Sequence, residues 1–257
     1  MRHGIIRRRV LRESFIALLR EVRDVVIPRG CAGCDRPDET LCPECRALFS
    51  RLATRDMGGI GMGVFSAGRY GAETRRAILR WKDHGDEEVT ADFRDVISRC
   101  VIDSGLPRLL CAAGLESAGL MVVPVPSTAA SSRSRGRHHT LPLAEAVRDA
   151  LRDGGVNAEM GRALSIVGRL GKSVQQSGVA GRIGRLEGHI RVDGRLLGNG
   201  GKAVLVDDII TTGSTLQQCV HALERQGVDV MAAYTLASVH RREIGPSDAF
   251  VGDDGSA

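Results

Sequence analysis

Apolar residues in this 257-residue chain fall into two kinds of run. In the first they are continuous, as in GLMVVPVPS (119–127), GKAVLVDD (201–208) and VDVMAAYTLA (228–237). Unbroken apolar runs bounded by glycine or proline predict strands buried on both faces, the kind found in parallel sheets. In the second they recur every three or four positions. Ala77, Ile78 and Trp81 do so in AETRRAILRWKDHGD, and Leu216, Val220 and Leu223 in STLQQCVHALERQG, so both segments predict helices. VFSAGRYG (64–71) reads as a strand and turn, ALSIV (163–167) as a short strand, and a further helix is expected from about Leu141 to Leu151. GRLGKSVQQSGVAGRIGR (168–185) has no apolar period and predicts a mobile loop. Strands alternating with helices specify an α/β fold with a doubly wound, mostly parallel sheet.

This patterning predicts four regions: a basic helix over 1–29, a cysteine-rich segment over 30–50, an α/β domain over 60–240 and a flexible tail over 241–257. The net charge of +5 belongs to the first of them. Residues 1–29 hold eight arginines against three acids, and the rest of the chain is balanced. Such a helix either touches phosphates or is a solvated face. Arginine outnumbers lysine 33 to 3, which reads as compositional bias rather than chemistry. No stretch approaches the roughly 18 apolar residues of a membrane helix. The opening segment is too often broken by charge for a signal peptide, so a cytoplasmic protein without membrane insertion is expected.

Four of the seven cysteines lie together in CAGCDRPDETLCPEC, at Cys31, Cys34, Cys42 and Cys45. Two CxxC pairs form two knuckles, and four thiolates in a tetrahedral shell suit a structural zinc ion; a redox pair is the alternative. Four thiolates leave no open position for water, which argues against catalysis by that metal. The loop between the knuckles is too short to bury a core of its own, so metal is expected to supply its folding energy.

The stretch AVLVDDIITTGST (203–215) carries the most chemistry. An apolar strand in such a sheet ends at the carboxyl edge, where open α/β sheets bind ligands. Asp207 and Asp208 fall there. Adjacent strand carboxylates point to opposite faces, so for both to serve one ligand the chain must already be turning. Gly213 permits unusual backbone angles, and Thr211, Thr212, Ser214 and Thr215 offer amides and hydroxyls just before a helix, a cradle for a phosphate monoester. Ionised carboxylates accept from the vicinal hydroxyls of a sugar. Phosphate and diol together describe a ribose 5-phosphate.

VLVDDIITTGST resembles the 5-phosphoribosyl diphosphate (PRPP) signature of type I phosphoribosyltransferases. The four-cysteine knuckle, then RYGAETRRAILRWKDHGD, VVPVPS, RSRGR and QQSGVAGR, are similar to the ComF family of competence-associated phosphoribosyltransferases, over about residues 25–238. The resemblance implies a type I phosphoribosyltransferase fold, with Mg²⁺ accompanying PRPP and zinc as a structural ion. It implies loss of diphosphate from C1 through an oxocarbenium-like state and capture by a nucleophile. Lys82 matches a recurring helix-end lysine, Val122–Ser127 the strand and loop facing the diphosphate, Arg135 and Gly136 an arginine-glycine pair, and Gln176 and Arg182 the motif that follows. Lys82, Arg135 and Lys172 are candidates to meet the diphosphate, or are ordinary surface cations. The chain departs from the family where Phe-Asn-Gln is expected and Arg137, His138 and His139 stand, and where Arg185 replaces an asparagine. Thr211 stands where the hypoxanthine-guanine branch carries an aspartate. A threonine cannot act as a base at neutral pH, which disfavours purine salvage of that type.

Two functions follow: transfer of phosphoribose to an unidentified acceptor, or non-catalytic binding of PRPP or nucleotide, with DNA, in competence or DNA uptake. Only eight aromatic residues occur, which argues against a base-stacking platform and leaves electrostatic DNA contact through residues 1–29. A docking role for the basic helix and zinc knuckle, toward partners such as competence-machinery proteins, is the third possibility.

Overall fold

The computed structural model describes residues 30–57, 62–83, 85–127, 137–167, 190–197 and 201–239. The basic segment 1–29, His84, Arg135, Gly136, the 168–185 loop with Lys172, Gln176 and Arg182, and the tail 241–257 lie outside the described residues.

The strands, in chain order, are β1 (Ala53–Asp56), β2 (Gly63–Arg69), β3 (Leu120–Pro124), β4 (Ala158–Met160), β5 (Leu164–Ile166), β6 (Ile190–Val192), β7 (Lys202–Ile210) and β8 (Asp229–Ser238). Six of them form one sheet in the order β1-β2-β8-β7-β3-β4, parallel except for the β1–β2 pair. β5 and β6 form a separate antiparallel pair, so ALSIV is a strand but lies outside the main sheet. The helices are α1 (Pro43–Ala47), α2 (Ala72–Asp83), α3 (Thr90–Asp103), α4 (Leu106–Ala112), α5 (Thr140–Asp153) and α6 (Ser214–Glu224).

Both faces of the sheet are covered. On one, Val204 and Val206 of β7 and Tyr234 of β8 pack against Ile78 and Trp81 of α2, Phe93 and Ile97 of α3, and Leu143, Val147 and Leu151 of α5. On the other, Ala203 and Leu205 pack against Leu216, Val220 and Leu223 of α6. This alternation is why β7 is apolar throughout: each face of the strand has its own core.

The cysteine segment has no core of its own, as its length requires: Cys31, Ala32, Cys42 and Cys45 belong to the same core as α2 and α3. Phe49, just beyond the cysteines, stands edge-on to Phe93 at 5.4 Å, and Phe93 edge-on to Trp81 at 5.3 Å. The ladder of β7 continues past the aspartates. Asp207 pairs with Thr235, and pairing continues through Ile210 with Ser238, because β8 is ten residues long. On the other flank the ladder of β3 stops at Pro124, opposite Val206. The aspartates are therefore paired on one side and open on the other.

Candidate functional site

The Sγ atoms of Cys31, Cys34, Cys42 and Cys45 all lie within 4.8 Å of one another. Zinc–sulfur bonds of about 2.3 Å in a tetrahedron place sulfurs about 3.8 Å apart, and the Cys34–Cys42 sulfur separation is 3.6 Å. Gly33 is required by close approach, since a Cβ there would meet Cys45 Sγ at 2.6 Å. Backbone amides already point at sulfur: Cys42 N donates to Cys31 Sγ at 3.3 Å and Cys45 N to Cys42 Sγ at 3.5 Å. Burial opposes ionisation of Cys31, but amide donors outweigh it and bring its thiol down to about 7. Burial and crowding by the other three sulfurs push Cys45 well up. Four thiolates so close need a cation among them, and the donor set fits a closed zinc site.

Elsewhere in the same core, the last turn of α2 reaches two places at once. Arg80 donates to the Cys31 carbonyl at 3.3 Å and pairs with Asp35 at 2.6 Å. Trp81 is buried and donates from Nε1 to Thr90 Oγ1 at 2.9 Å. Lys82 pairs with Asp208 Oδ2. The sequence leaves Lys82 as a candidate to meet the diphosphate or as an ordinary surface cation; the structure commits its ammonium to a carboxylate whose side chain is only 4% exposed.

Asp208 Oδ2 also lies 3.2 Å from His139 Nε2, and its Oδ1 accepts from Ile209 N at 2.9 Å. Burial alone would raise this carboxyl, but the His139 bond and the Lys82 charge outweigh it and hold Asp208 well below the usual carboxylate range. Asp207 is half-buried, and its Oδ1 accepts from Asp208 N at 2.8 Å. Burial and the neighbouring Asp208 charge push its carboxyl well above the ordinary value. The two acids that the sequence presents as equivalent are thus set apart by their surroundings.

Beyond β7, Thr211 and Thr212 are exposed, and Gly213 takes φ 85° immediately before α6. The left-handed backbone favours glycine there, and a Cβ at Gly213 would also lie 2.5 Å from Met57 Cε, so that side chain would have to shift. The first amides of α6 have no intrahelical acceptor and open toward this turn. Thr212 Oγ1 donates to Ser214 Oγ at 3.2 Å, and Thr215 follows in the first helical turn.

Arg55, which the sequence does not single out, donates to the carbonyls of Thr211 at 2.6 Å and Thr212 at 3.0 Å. It holds the loop from the antiparallel edge strand β1. No local motif could reveal it, because the partners are 156 residues apart in the chain. Past β3, a cavity of about 400 Å³ is lined by Val125, Ser127, His138, Leu141, Arg162 and Ile166 among others, with no carboxylate among the described residues of its wall.

Lys82, Asp207, Asp208 and Thr211–Thr215 therefore meet around the carboxyl end of β7, and the four cysteines meet at their own centre. Arg135, expected beside the first group, lies outside the described residues. Among the described residues no helix is long and apolar enough to cross a membrane.

Residues 141–253 match the model of the phosphoribosyl transferase domain family. The match supports a phosphoribosyltransferase-like function and covers less than half of the chain. It takes in β7, both aspartates, the Thr211–Thr215 turn and α6, and leaves out the cysteine cluster, α2 and Arg55. A search of curated proteins finds no match.

Proposed function

We propose that this protein binds PRPP together with Mg²⁺ at the carboxyl end of β7 and transfers its phosphoribose to an acceptor. The observation that carries the proposal is the coincidence of the phosphoribosyl transferase match with a left-handed turn at Gly213, immediately before α6 and preceded by the exposed Thr211 and Thr212. In this reading Thr211, Thr212, Gly213, Ser214 and Thr215 receive the 5-phosphate. The carboxylate end of β7 receives the ribose hydroxyls, directly or through Mg²⁺, a hard ion suited to carboxylate and phosphate oxygens. The cavity beyond β3, with Arg162 and His138 and no acid among the described residues of its wall, suits the diphosphate. The C1–oxygen bond breaks with its electron pair leaving on the diphosphate, and a nucleophile with a removable proton forms the new bond to C1. The chain's own contribution is to orient the two groups and keep water away. The cysteine cluster ahead of the sheet supports the finer assignment to the ComF type.

Calorimetric titration with PRPP and Mg²⁺ tests binding, and diphosphate release with candidate bases tests transfer. Wild-type protein that does not bind PRPP at millimolar concentration overturns the proposal. A DNA contact rests on residues 1–29, which lie outside the described residues, and forms no part of it.

A further inference from the structure

We infer that the two aspartates divide the work: Asp207 alone faces the ligand, while Asp208 is a positioning residue, fixed by Lys82 and His139 on the opposite face of β7. The division rests on the PRPP site proposed above.

Direction comes from the strand. Successive side chains alternate between faces. Ala203 and Leu205 belong to the α6 core, whereas Val204 and Val206 belong to the core shared with α2 and α5. The alternation reaches the acids, since the Asp207 charge acts on the Cys219 thiol of α6 while Asp208 meets Lys82 and His139, and it breaks only beyond them, where Ile209 packs against the α2 core and Ile210 joins the α6 core. Asp207 then shares a face with α6, whose N-terminus forms the phosphate cradle. Asp208 turns to the other face, where Lys82 comes from α2 and His139 from α5.

Occupancy agrees. Asp208 Oδ2 has both Lys82 and His139, and Oδ1 has the Ile209 amide, in a residue 3% exposed. Recruiting this carboxylate to a sugar would break contacts that already satisfy it, and the half-buried Lys82 ammonium would be left without its carboxylate.

His139 is itself held. It is 2% exposed and stands edge-on to Trp81 at 5.7 Å between ring centroids. Arg137 also meets that tryptophan, with its guanidinium 5.2 Å from the ring centroid and a hydrogen bond to the Trp81 carbonyl. Arg137 and His139 thus clamp the end of α2 that carries Lys82, which gives the Arg137-His138-His139 stretch a role in placing Asp208.

The test measures melting temperature and PRPP affinity, with Mg²⁺ present, in Asp207→Asn, Asp208→Asn, His139→Leu and His139→Gln. Asp207→Asn should lose roughly ten-fold or more in affinity and keep or raise its melting temperature. Asp208→Asn should melt lower by roughly 5 °C or more, since it breaks a buried pair. His139→Leu should weaken PRPP binding at a temperature where the variant is fully folded. His139→Gln, whose amide can still donate to Asp208, should recover most of that affinity. The inference is overturned if Asp208→Asn loses affinity as Asp207→Asn does with no change in melting, or if His139→Leu melts lower yet binds PRPP within two-fold of wild type. Absence of PRPP binding in wild type would defeat the proposed ligand, while the contrast in melting between the two Asn variants would still decide whether Asp208 is the buried anchor.

Discussion

The cysteine cluster and the carboxyl end of β7 are opposite solutions to gathering charge. At the cluster, four soft donors lie within 4.8 Å of one another, three of them buried, with nothing left to offer a ligand. At β7 the donors are hard oxygens and amides, and Thr211 and Thr212 are exposed. Yet both lean on one helix end, where Arg80 reaches the Cys31 carbonyl, Trp81 packs beside His139 and Lys82 holds Asp208. A closed site that stabilises and an open site that binds can share a support because the support belongs to the core, and packed cores transmit displacement rather than absorbing it.

The largest effect should come from breaking the closed site. Wild-type protein is expected to carry about one zinc per chain. Cys31→Ser combined with Cys34→Ser should lose the metal, unfold the 30–50 segment and lower the melting temperature by roughly 10 °C or more. Because Trp81 is the only tryptophan, its emission reports on the shared helix end directly and should shift to the red. Metal analysis and fluorescence check this. Folded protein without zinc, or unaltered emission in the double variant, breaks the contrast.

Next is the open site. Gly213→Val places a β-branched residue at φ 85° and drives its Cβ into Met57. PRPP affinity should fall by more than ten-fold, about 1.4 kcal/mol. Adding Met57→Ala removes the collision but leaves the backbone conformation, so calorimetry on the double variant should show affinity still depressed.

How legible was this arrangement in the sequence? The continuous apolar runs located β3, β7 and β8, and the stripe of Ala77, Ile78 and Trp81 located α2, because periodicity is a local signal. The three-residue strand β4 and helices α3 and α4 were not read, β4 being too short to show a period. At the site, the cysteines and the Asp207–Thr215 run were legible as motifs. The pairing of Lys82 and His139 with Asp208 was not, since His139 lies 69 residues away and nothing in its neighbours points to a carboxylate. Where the β7 ladder ends was not legible for a related reason: the length of its partner β8 decides it.

A smaller effect concerns pH and separates the two acids. Asp207 has its folded-state pKa raised by burial and by Asp208, so its ionisation costs stability. That contribution is fully present below the unfolded value of about 3.9 and is lost as pH rises toward the folded value. Asp207→Asn should therefore melt higher than wild type at neutral pH, with the gap closing below about pH 4. Asp208 is depressed despite its burial, through His139 and Lys82, so its contribution is present above the unfolded value and is lost as pH falls. Melting curves of wild type and the two Asn variants at pH 4 and pH 7 check both signs, and parallel behaviour of the two variants would erase the distinction.

The smallest effect is expected at Arg55, which ties the antiparallel edge of the sheet to the open turn. Its guanidinium spans two successive carbonyls, Thr211 and Thr212, and so keeps them turned away from the phosphate cradle. The bond is exposed, and its loss leaves the core untouched, so Arg55→Ala should change the melting temperature by no more than about 2 °C, as for other surface substitutions. What it removes is order in the loop before the ligand arrives, and PRPP affinity should drop roughly three- to ten-fold, the size of one or two modest hydrogen bonds. Arg55→Lys separates charge from geometry. A lysine keeps the positive charge near the phosphate but replaces the planar fork with a compact ammonium that does not reproduce its two-carbonyl geometry. Affinity of the lysine variant close to that of alanine would mean that the fork itself holds the turn; affinity close to wild type would mean that Arg55 acts on the phosphate through charge alone, and that the turn keeps its shape without help from β1.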